Sequence, residues 1–380
     1  MSLKSFPSEI ITFLLVLAIA GAGLVFYATT KFNETGPLED AIYFSIEKGA
    51  NMGEITNSLH EEGIIDSKLF FQIGTYLESK QNQLNFGFFE IPQNASMAAV
   101  LSIITKPGHD LHKYSIKLII SGKGTLVRVS ERAPVEGSYT ELYSANHDGE
   151  LPSDIQSILE NDFPFLISAT VIEGLTSWQI VNSLKDAPFF AGNIEGIPPE
   201  GSLAPNTYLI EYPTDRTEFL NRLVSNQTRI LQEEWNNRPA NTQLKSPEEV
   251  LILASIIEKE TGLIKEKALV SSVFSNRLDK RMLLQTDPTL IYGLTEGKGY
   301  LGRGLRQSEL EKDTPYNTYL HPGLPPTPIS NPSRLSIHAA LHPEDSDYLF
   351  FVANGKGGHA FAKSYSEHRK NVQAWRAMNN

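Results

Sequence analysis

Residues 246–262 read Ser-Pro-Glu-Glu-Val-Leu-Ile-Leu-Ala-Ser-Ile-Ile-Glu-Lys-Glu-Thr-Gly, and they constrain the fold more than any other stretch of the chain. The opening has the chemistry of a helix start. Ser246 suits the N-cap, Pro247 the first helical position, and Glu249 the third, where it completes a capping box. Gly262 is placed to close the helix in a left-handed conformation. From Val250 to Ile257 every residue except Ser255 is apolar. A helix greasy all round cannot lie on a surface, so the domain must wrap around it.

Glu258 falls at the carboxyl end of that helix, on the stripe of Leu251 and Ala254. Partial burial and the negative end of the helix dipole both disfavour its charged form, which predicts a raised pKa. That is what a general acid near neutral pH requires. The plain alternative is a solvated last-turn carboxylate in an ordinary Glu-Lys-Glu surface tripeptide. Glu260 points about 200° around the helix from Glu258, so the two do not form a carboxylate pair. An acid here acts alone.

The chain has 380 residues, enough for two or three domains. Its formal charge is −11 and no Lys/Arg-rich block occurs, which argues against a nucleic-acid partner. Cysteine is absent, so there are no disulfides and no thiolate metal sites. The nine histidines form no HExxH motif, and no glycine-rich phosphate loop is present. Residues 10–28 carry no charge, a run just long enough to span a bilayer. A cleaved leader ending at Ala18-Ile-Ala20 is the competing reading. The apolar run continues past that site through Leu24, Val25, Phe26 and Tyr27, which favours an uncleaved anchor at 10–29 after a short tail, 1–9. Lys4 and Lys31 nearly cancel in a positive-inside count.

Beyond the span, residues 41–107 read as a small α+β module. Strands are expected at 41–46 and 86–91, with a turn at Gly49 and helices at 52–62, 67–79 and 96–104. A weak repeat links Ser45-Ile-Glu-Lys-Gly49 and Ile55-Thr-Asn-Ser-Leu59 to Val171-Ile-Glu-Gly174 and Ile180-Val-Asn-Ser-Leu184, each followed by a Phe-Phe pair. Residues 114–120 and 125–130 alternate like a β-hairpin, and 134–151 is polar and turn-rich, predicting a loop. Helices are expected at 219–236, 265–281 and 333–341. Another begins at Asp287 as N-cap with Pro288 behind it. A buried strand at 348–353 and a glycine-rich turn through His359 lead to a last helix at 364–376. Gln285, Asp287, Tyr316, Asn317, Tyr319, Asn354 and His359 cluster in the C-terminal third, several of them beside Gly or Pro on loops, where binding groups are displayed. Amides and aromatic rings of this kind suit a sugar. Each also has a structural reading: Asp287 a cap, the tyrosines core, His359 the tie of a turn.

Seven ordered motifs then carry a resemblance. They are Leu253-Ala-Ser-Ile-Ile-Glu-Lys-Glu-Thr261, Val273-Phe-Ser-Asn-Arg-Leu278, Leu284-Gln-Thr-Asp-Pro-Thr289, Tyr316-Asn-Thr-Tyr319, Gly323-Leu-Pro-Pro326, Ile329-Ser-Asn-Pro332 and Gly358-His-Ala-Phe361. Together they resemble the catalytic domain of the YceG-like endolytic murein transglycosylases, over residues 173–372. Residues 44–107 look like that family's LysM-like module, and 110–167 depart from its compact pattern. The resemblance implies an α+β chain in five parts: tail 1–9, transmembrane anchor 10–29, LysM-like module 41–107, inserted segment 108–170 and catalytic domain 171–376. It implies Glu258 as the catalytic residue, supported by Glu260, Gln285, Asp287, Asn317, Tyr319 and His359, with no metal and no cofactor. The implied reaction cuts the MurNAc–GlcNAc bond of nascent peptidoglycan strands and leaves a 1,6-anhydro-MurNAc end. The implied place is the periplasmic face of a bacterial inner membrane, with peptidoglycan synthases as partners. A glycan-binding scaffold for those synthases is the alternative from another class.

Overall fold

A computed structural model of the chain describes residues 8–46, 50–85, 87–106, 113–132, 139–146, 151–160 and 165–379. The turn expected at Gly49, and Phe86 at the start of its expected strand, lie outside these residues. So does most of the tail. The chain folds as two compact units. One comprises residues 1–116, 129–143 and 152–166; the other comprises 117–128, 144–151 and 167–380.

The first unit opens with helix α1 (Ser8–Asn33). At 1.5 Å per residue it is about 39 Å long, more than a bilayer's hydrocarbon core. Its segment Thr12–Asn33 is long and apolar enough to cross a membrane, and only 6% of its most apolar window is buried. The exception is its last turns, where Phe32 enters a core with Phe44, Leu59, Ile64, Phe71, Phe89 and Leu101. That core lies among strand β1 (Ile42–Ile46), helices α2 (Met52–Glu61) and α3 (Lys68–Leu77), strand β2 (Gly87–Ile91) and helix α4 (Met97–Thr105). β1 and β2 pair antiparallel, Phe44 opposite Phe89. The starts of the helices follow from their caps. Asn51 and Glu54 close a capping box on α2, while Ser67 and Ser96 cap α3 and α4.

α1 and α3 approach closely because position 74 has no side chain. A Cβ there would lie 2.3 Å from the Phe32 ring. Gly74→Ala is therefore expected to force the helices apart and cost about 1–3 kcal/mol. A fall in melting temperature, partly reversed by adding Phe32→Leu, would bear this out. An unchanged melting temperature would count against the close contact.

The strands that follow are β3 (Tyr114–Ser121), β4 (Gly124–Arg132) and β5 (Tyr139–Asn146). After helix α5 (Ser153–Glu160) comes β6 (Phe165–Val171). β3 and β4 make the expected hairpin. β5 corrects the loop expected over 134–151 at residues 139–146; 134–138 and 147–150 lie outside the described residues. It is an edge strand, and its side chains are exposed along most of its length. Without an apolar face it lacked the alternation that betrays a strand. Helix α6 (Ser177–Lys185), the short strands β7 (Phe190–Ala191) and β9 (Thr214–Asp215), and strand β8 (Thr207–Ile210) between them come next. The sheet runs β5-β4-β3-β6-β8, and β7 pairs parallel with β9. The repeat holds at the level of strand then helix: β6–α6 echoes β1–α2, and Thr176 and Gln179 form a second capping box. The Phe pairs differ, since Phe70 and Phe71 lie in α3 while Phe190 begins β7.

Helix α7 (Arg216–Asn236) leads to α8 (Pro247–Glu260), around which the second unit is built. After it come α9 (Lys267–Asp279), α10 (Asp287–Thr295), α11 (Gln307–Leu310) and α12 (Arg334–Leu341). A hairpin of β10 (Phe350–Ala353) and β11 (His359–Ala362) and the helix α13 (Tyr365–Asn379) complete the unit. α7, α9, α10 and α12 all pack on α8, which is why residues 252–258 are buried. Ser255 is tolerated there because its hydroxyl donates to the Ile252 carbonyl at 2.7 Å and accepts from Ile329 N–H at 3.0 Å. Three local details differ from expectation. Glu249 accepts from Lys245 N–H, not Ser246 N–H, so the capping box is half made. The helix ends on Thr261 in an extended conformation, without a left-handed Gly262. The strand expected buried at 348–353 is half-buried, because β10 has only β11 as a partner.

Candidate active site

The last turn of α8 carries two carboxylates on opposite sides, and their surroundings are opposite too. Glu258 is locked. Its Oε1 lies 2.8 Å from Lys267 Nζ, with both side chains 3% exposed. Its Oε2 accepts from Ser333 N–H at 2.9 Å and from the Ser333 hydroxyl at 2.6 Å. Lys267 also donates to Ser336 Oγ at 2.7 Å. Burial pushes the Glu258 pKa up, but the Lys267 charge and the hydrogen bonds from Lys267 and Ser333 outweigh it, and the pKa is lowered. This corrects the raised value expected from burial and the helix dipole. The counter-charge comes from nine residues away and the hydroxyl from 75 residues away, beyond the reach of helix position alone. Beside this pair runs the loop after β6. Gly174 takes φ +73, and a Cβ on it would lie 3.5 Å from Glu258 Cγ. Its neighbour Glu173 has a pKa raised by burial and then by the Glu258 charge.

Glu260 faces the other way, into a cleft of about 480 Å³ that it lines with Arg277, Gln285, Asp287, Tyr319 and His368. Burial pushes its pKa up and the Asp287 charge adds to that; a hydrogen bond from the Thr286 hydroxyl and the charges of His359 and Arg277 oppose both without cancelling them. Here, not at Glu258, the helix end presents an acid that holds its proton to higher pH.

Thr286 caps α10 by position. Asp287, expected as the cap, is instead the first helical residue. Its freed carboxylate accepts from the Tyr319 hydroxyl at 2.5 Å, and burial followed by that bond pushes the Tyr319 pKa up. Gln285 is exposed and held at φ +48, a left-handed conformation costly for a residue with a side chain. Its N–H is tied to the Thr318 carbonyl at 3.1 Å. Arg277 is fixed by bonds to the Leu349 and Leu284 carbonyls, both at 2.7 Å.

Of the residues singled out in sequence, the fold brings Glu260, Gln285, Asp287 and Tyr319 into one cleft. Glu258 lies outside it. Asn317 is fully buried, its amide donating to the Leu310 and Lys312 carbonyls and its oxygen accepting from Tyr319 N–H at 3.0 Å. It holds the Tyr319 loop and has no face for a sugar, contrary to its expected binding role. His359 is occupied with Glu266, Nδ1 to Oε2 at 2.7 Å, and acts on Glu260 through charge alone. Sequence reasoning missed Lys267, Ser333, Thr286, Arg277 and Glu173. Lys267 and Arg277 did leave a signal. They share one helical stripe with Val270 and Phe274, so two cations occupy positions where the pattern calls for apolar residues.

Residues 44–374 match the family described as YceG-like. An endolytic murein transglycosylase of Bacillus subtilis (strain 168) is 28% identical over 331 residues, covering 87% of this chain and 83% of that protein. An endolytic murein transglycosylase of Streptococcus pneumoniae (serotype 2, strain D39) is 24% identical, covering 96% of this chain; the chain spans 64% of that longer protein. A crystal structure of a yceG-like protein from Listeria monocytogenes superposes with a TM-score of 0.45 at 24% identity, over 87% of this chain and 98% of that one.

Proposed function

This chain belongs to the YceG-like family, and on that premise we propose that it is a lytic transglycosylase that cuts peptidoglycan strands, with Glu260 as its single acid and base. The observation that carries the reading is the contrast at the end of α8. Glu258 is an ion-paired carboxylate with its oxygens engaged, and Glu260 is an acid with a raised pKa facing a cleft. Hydrolytic glycosidases generally need a second carboxylate, as nucleophile or to activate water. A lytic transglycosylase uses the substrate's own groups instead.

In the proposed reaction protonated Glu260 donates to the oxygen linking MurNAc to GlcNAc as that bond breaks. The 2-acetamido group supports the developing charge at C1. The Glu260 carboxylate then takes the proton of the C6 hydroxyl, whose oxygen closes on C1. The product is a 1,6-anhydro-MurNAc end, and no water is consumed. Asp287, Gln285 and Tyr319 hold the glycan, while Arg277 and Thr286 stabilise the carboxylate left after donation. Tyr319 and the aromatic rings of Phe350 and Tyr365 in the cleft wall offer faces for the sugars.

Residues 171–376 serve as the catalytic domain and 41–107 as a LysM-like glycan-binding module, with 108–170 inserted between them. The exposed apolar length of α1 supports a membrane anchor, with the remainder on the extracytoplasmic side. That restricts cutting to nascent strands near the membrane and suits an endolytic terminator of glycan growth working beside peptidoglycan synthases.

The test is mass spectrometry of products from purified peptidoglycan strands. Internal fragments lighter by one water than hydrolytic ones support the lyase. Reducing-end products would make the chain a hydrolase, and binding without cutting would make it a scaffold. The rate carries a second signature. The reaction needs Glu260 protonated, so kcat/KM is expected to fall as pH rises through the raised Glu260 pKa. An alkaline limb that persists unchanged when Asp287→Asn removes the neighbouring charge would argue against that assignment.

A further inference from the structure

Away from the cleft, α7 and α12 lie side by side and bring together Glu234, His338 and, directly after the end of α12, His342. We propose that these three side chains form a binding site for a divalent transition-metal ion of the zinc type, which ties α7 to α12. His338 and His342 are one helical turn apart, with ring centroids 4.2 Å apart and planes within 18°. Glu234 Oε2 lies 2.9 Å from His338 Nδ1. One ligand atom from each of the three residues falls within 4.8 Å of the other two. Zinc bonds to imidazole and carboxylate run about 2.0–2.2 Å, which puts ligand atoms about 3.3 Å apart; an ion lies in the plane of each imidazole it binds, so one of the two stacked rings must turn out of the stack to close the site.

The donor set selects the ion. Two imidazoles and one carboxylate suit zinc, copper or nickel, and magnesium or calcium would want oxygen alone. Three protein ligands leave one tetrahedral position for water. The carboxylate is already oriented, because Arg334 Nε holds Glu234 Oε1 at 2.8 Å and leaves Oε2 toward the histidines. The Arg334 charge opposes a cation, but its side chain is 50% exposed and is also paired with Glu233 at 2.9 Å. Solvent screening and that second carboxylate weaken the opposition.

The position gives the site a consequence. α12 begins at Arg334, directly after Ser333, whose N–H and hydroxyl hold Glu258. An ion bridging α7 and α12 fixes the helix that carries that contact.

The experiment uses the full chain in detergent micelles, stripped of metal and titrated with Co²⁺ as a spectroscopic stand-in for zinc. Visible d–d bands of tetrahedral intensity at one ion per chain are expected, displaced by Zn²⁺ and untouched by Mg²⁺. His338→Ala and His342→Ala are each expected to weaken binding by at least about 10-fold, the scale seen when even an outer partner of a ligand is lost. Melting of the metal-free variants checks their fold, and His342→Gln replaces any that does not fold. Absent bands in the wild type, or bands unchanged in both histidine variants, would overturn the site.

Discussion

Glu260→Gln will abolish strand cutting, lowering the rate by about 10²–10⁴-fold, the usual contribution of a general acid. It will do so without unfolding the protein. The sign of its effect on stability separates it from a structural residue. Glu260 has a folded pKa raised above its ordinary value by burial. What its protonated form contributes to stability is fully present below the unfolded pKa and is lost as pH rises through the folded one. A glutamine cannot ionise, so the variant should melt no lower than the wild type at neutral pH, and higher under alkaline conditions. Dead but at least as stable is the expected result, read by product mass spectrometry and thermal melting on one preparation. If Glu260→Gln still cuts, the acid is elsewhere, and the cleft becomes a binding site only.

Lys267→Met should have the largest effect on stability. It leaves Glu258 buried without its ion-pair partner, a change that typically costs about 3–5 kcal/mol. Changing Glu258→Gln in the same chain should recover part of the loss, because the orphaned charge goes with it. The pH dependence supplies the check. In the wild type the Glu258 pKa is lowered from 4.5, so the pair's contribution is present above that value and fades as pH falls through the lower folded one. In Lys267→Met burial acts with the chief opposing charge removed and pushes the Glu258 pKa the other way, so mild acid should now stabilise. Denaturant midpoints of both proteins across the acid range would show the reversal. Parallel curves would mean the ion pair contributes little.

What could be read from the chain alone divides along physical lines. α8 was legible because its cap, its apolar run and its neighbours in sequence all act locally. The same holds for α2, α3 and α4 with their Asn or Ser caps. β5 was not legible, because a strand exposed along most of its length leaves no alternation. Three of the seven loop residues expected around a sugar do converge, Gln285, Asp287 and Tyr319, which sit at turns whose geometry is set by short motifs. The roles of the two glutamates were a different matter. Helix position gives both of them a partly buried helix end. Only the arrival of Lys267 and Ser333 from elsewhere in the chain makes one an ion-paired strut with a lowered pKa, while burial raises that of the other. Asn317 errs for the same reason: nothing local reveals that its amide is taken up by the Leu310 and Lys312 carbonyls.

Because Glu258 and Glu260 are two residues apart on one helical turn, the ion pair that fixes the first also fixes the direction of the second. A screen scored only on loss of strand cutting would return both positions and rank them alike. Suppressors would sort them: a general stabiliser elsewhere in the fold should rescue a weakened strut, and no amount of added stability should rescue a missing proton donor.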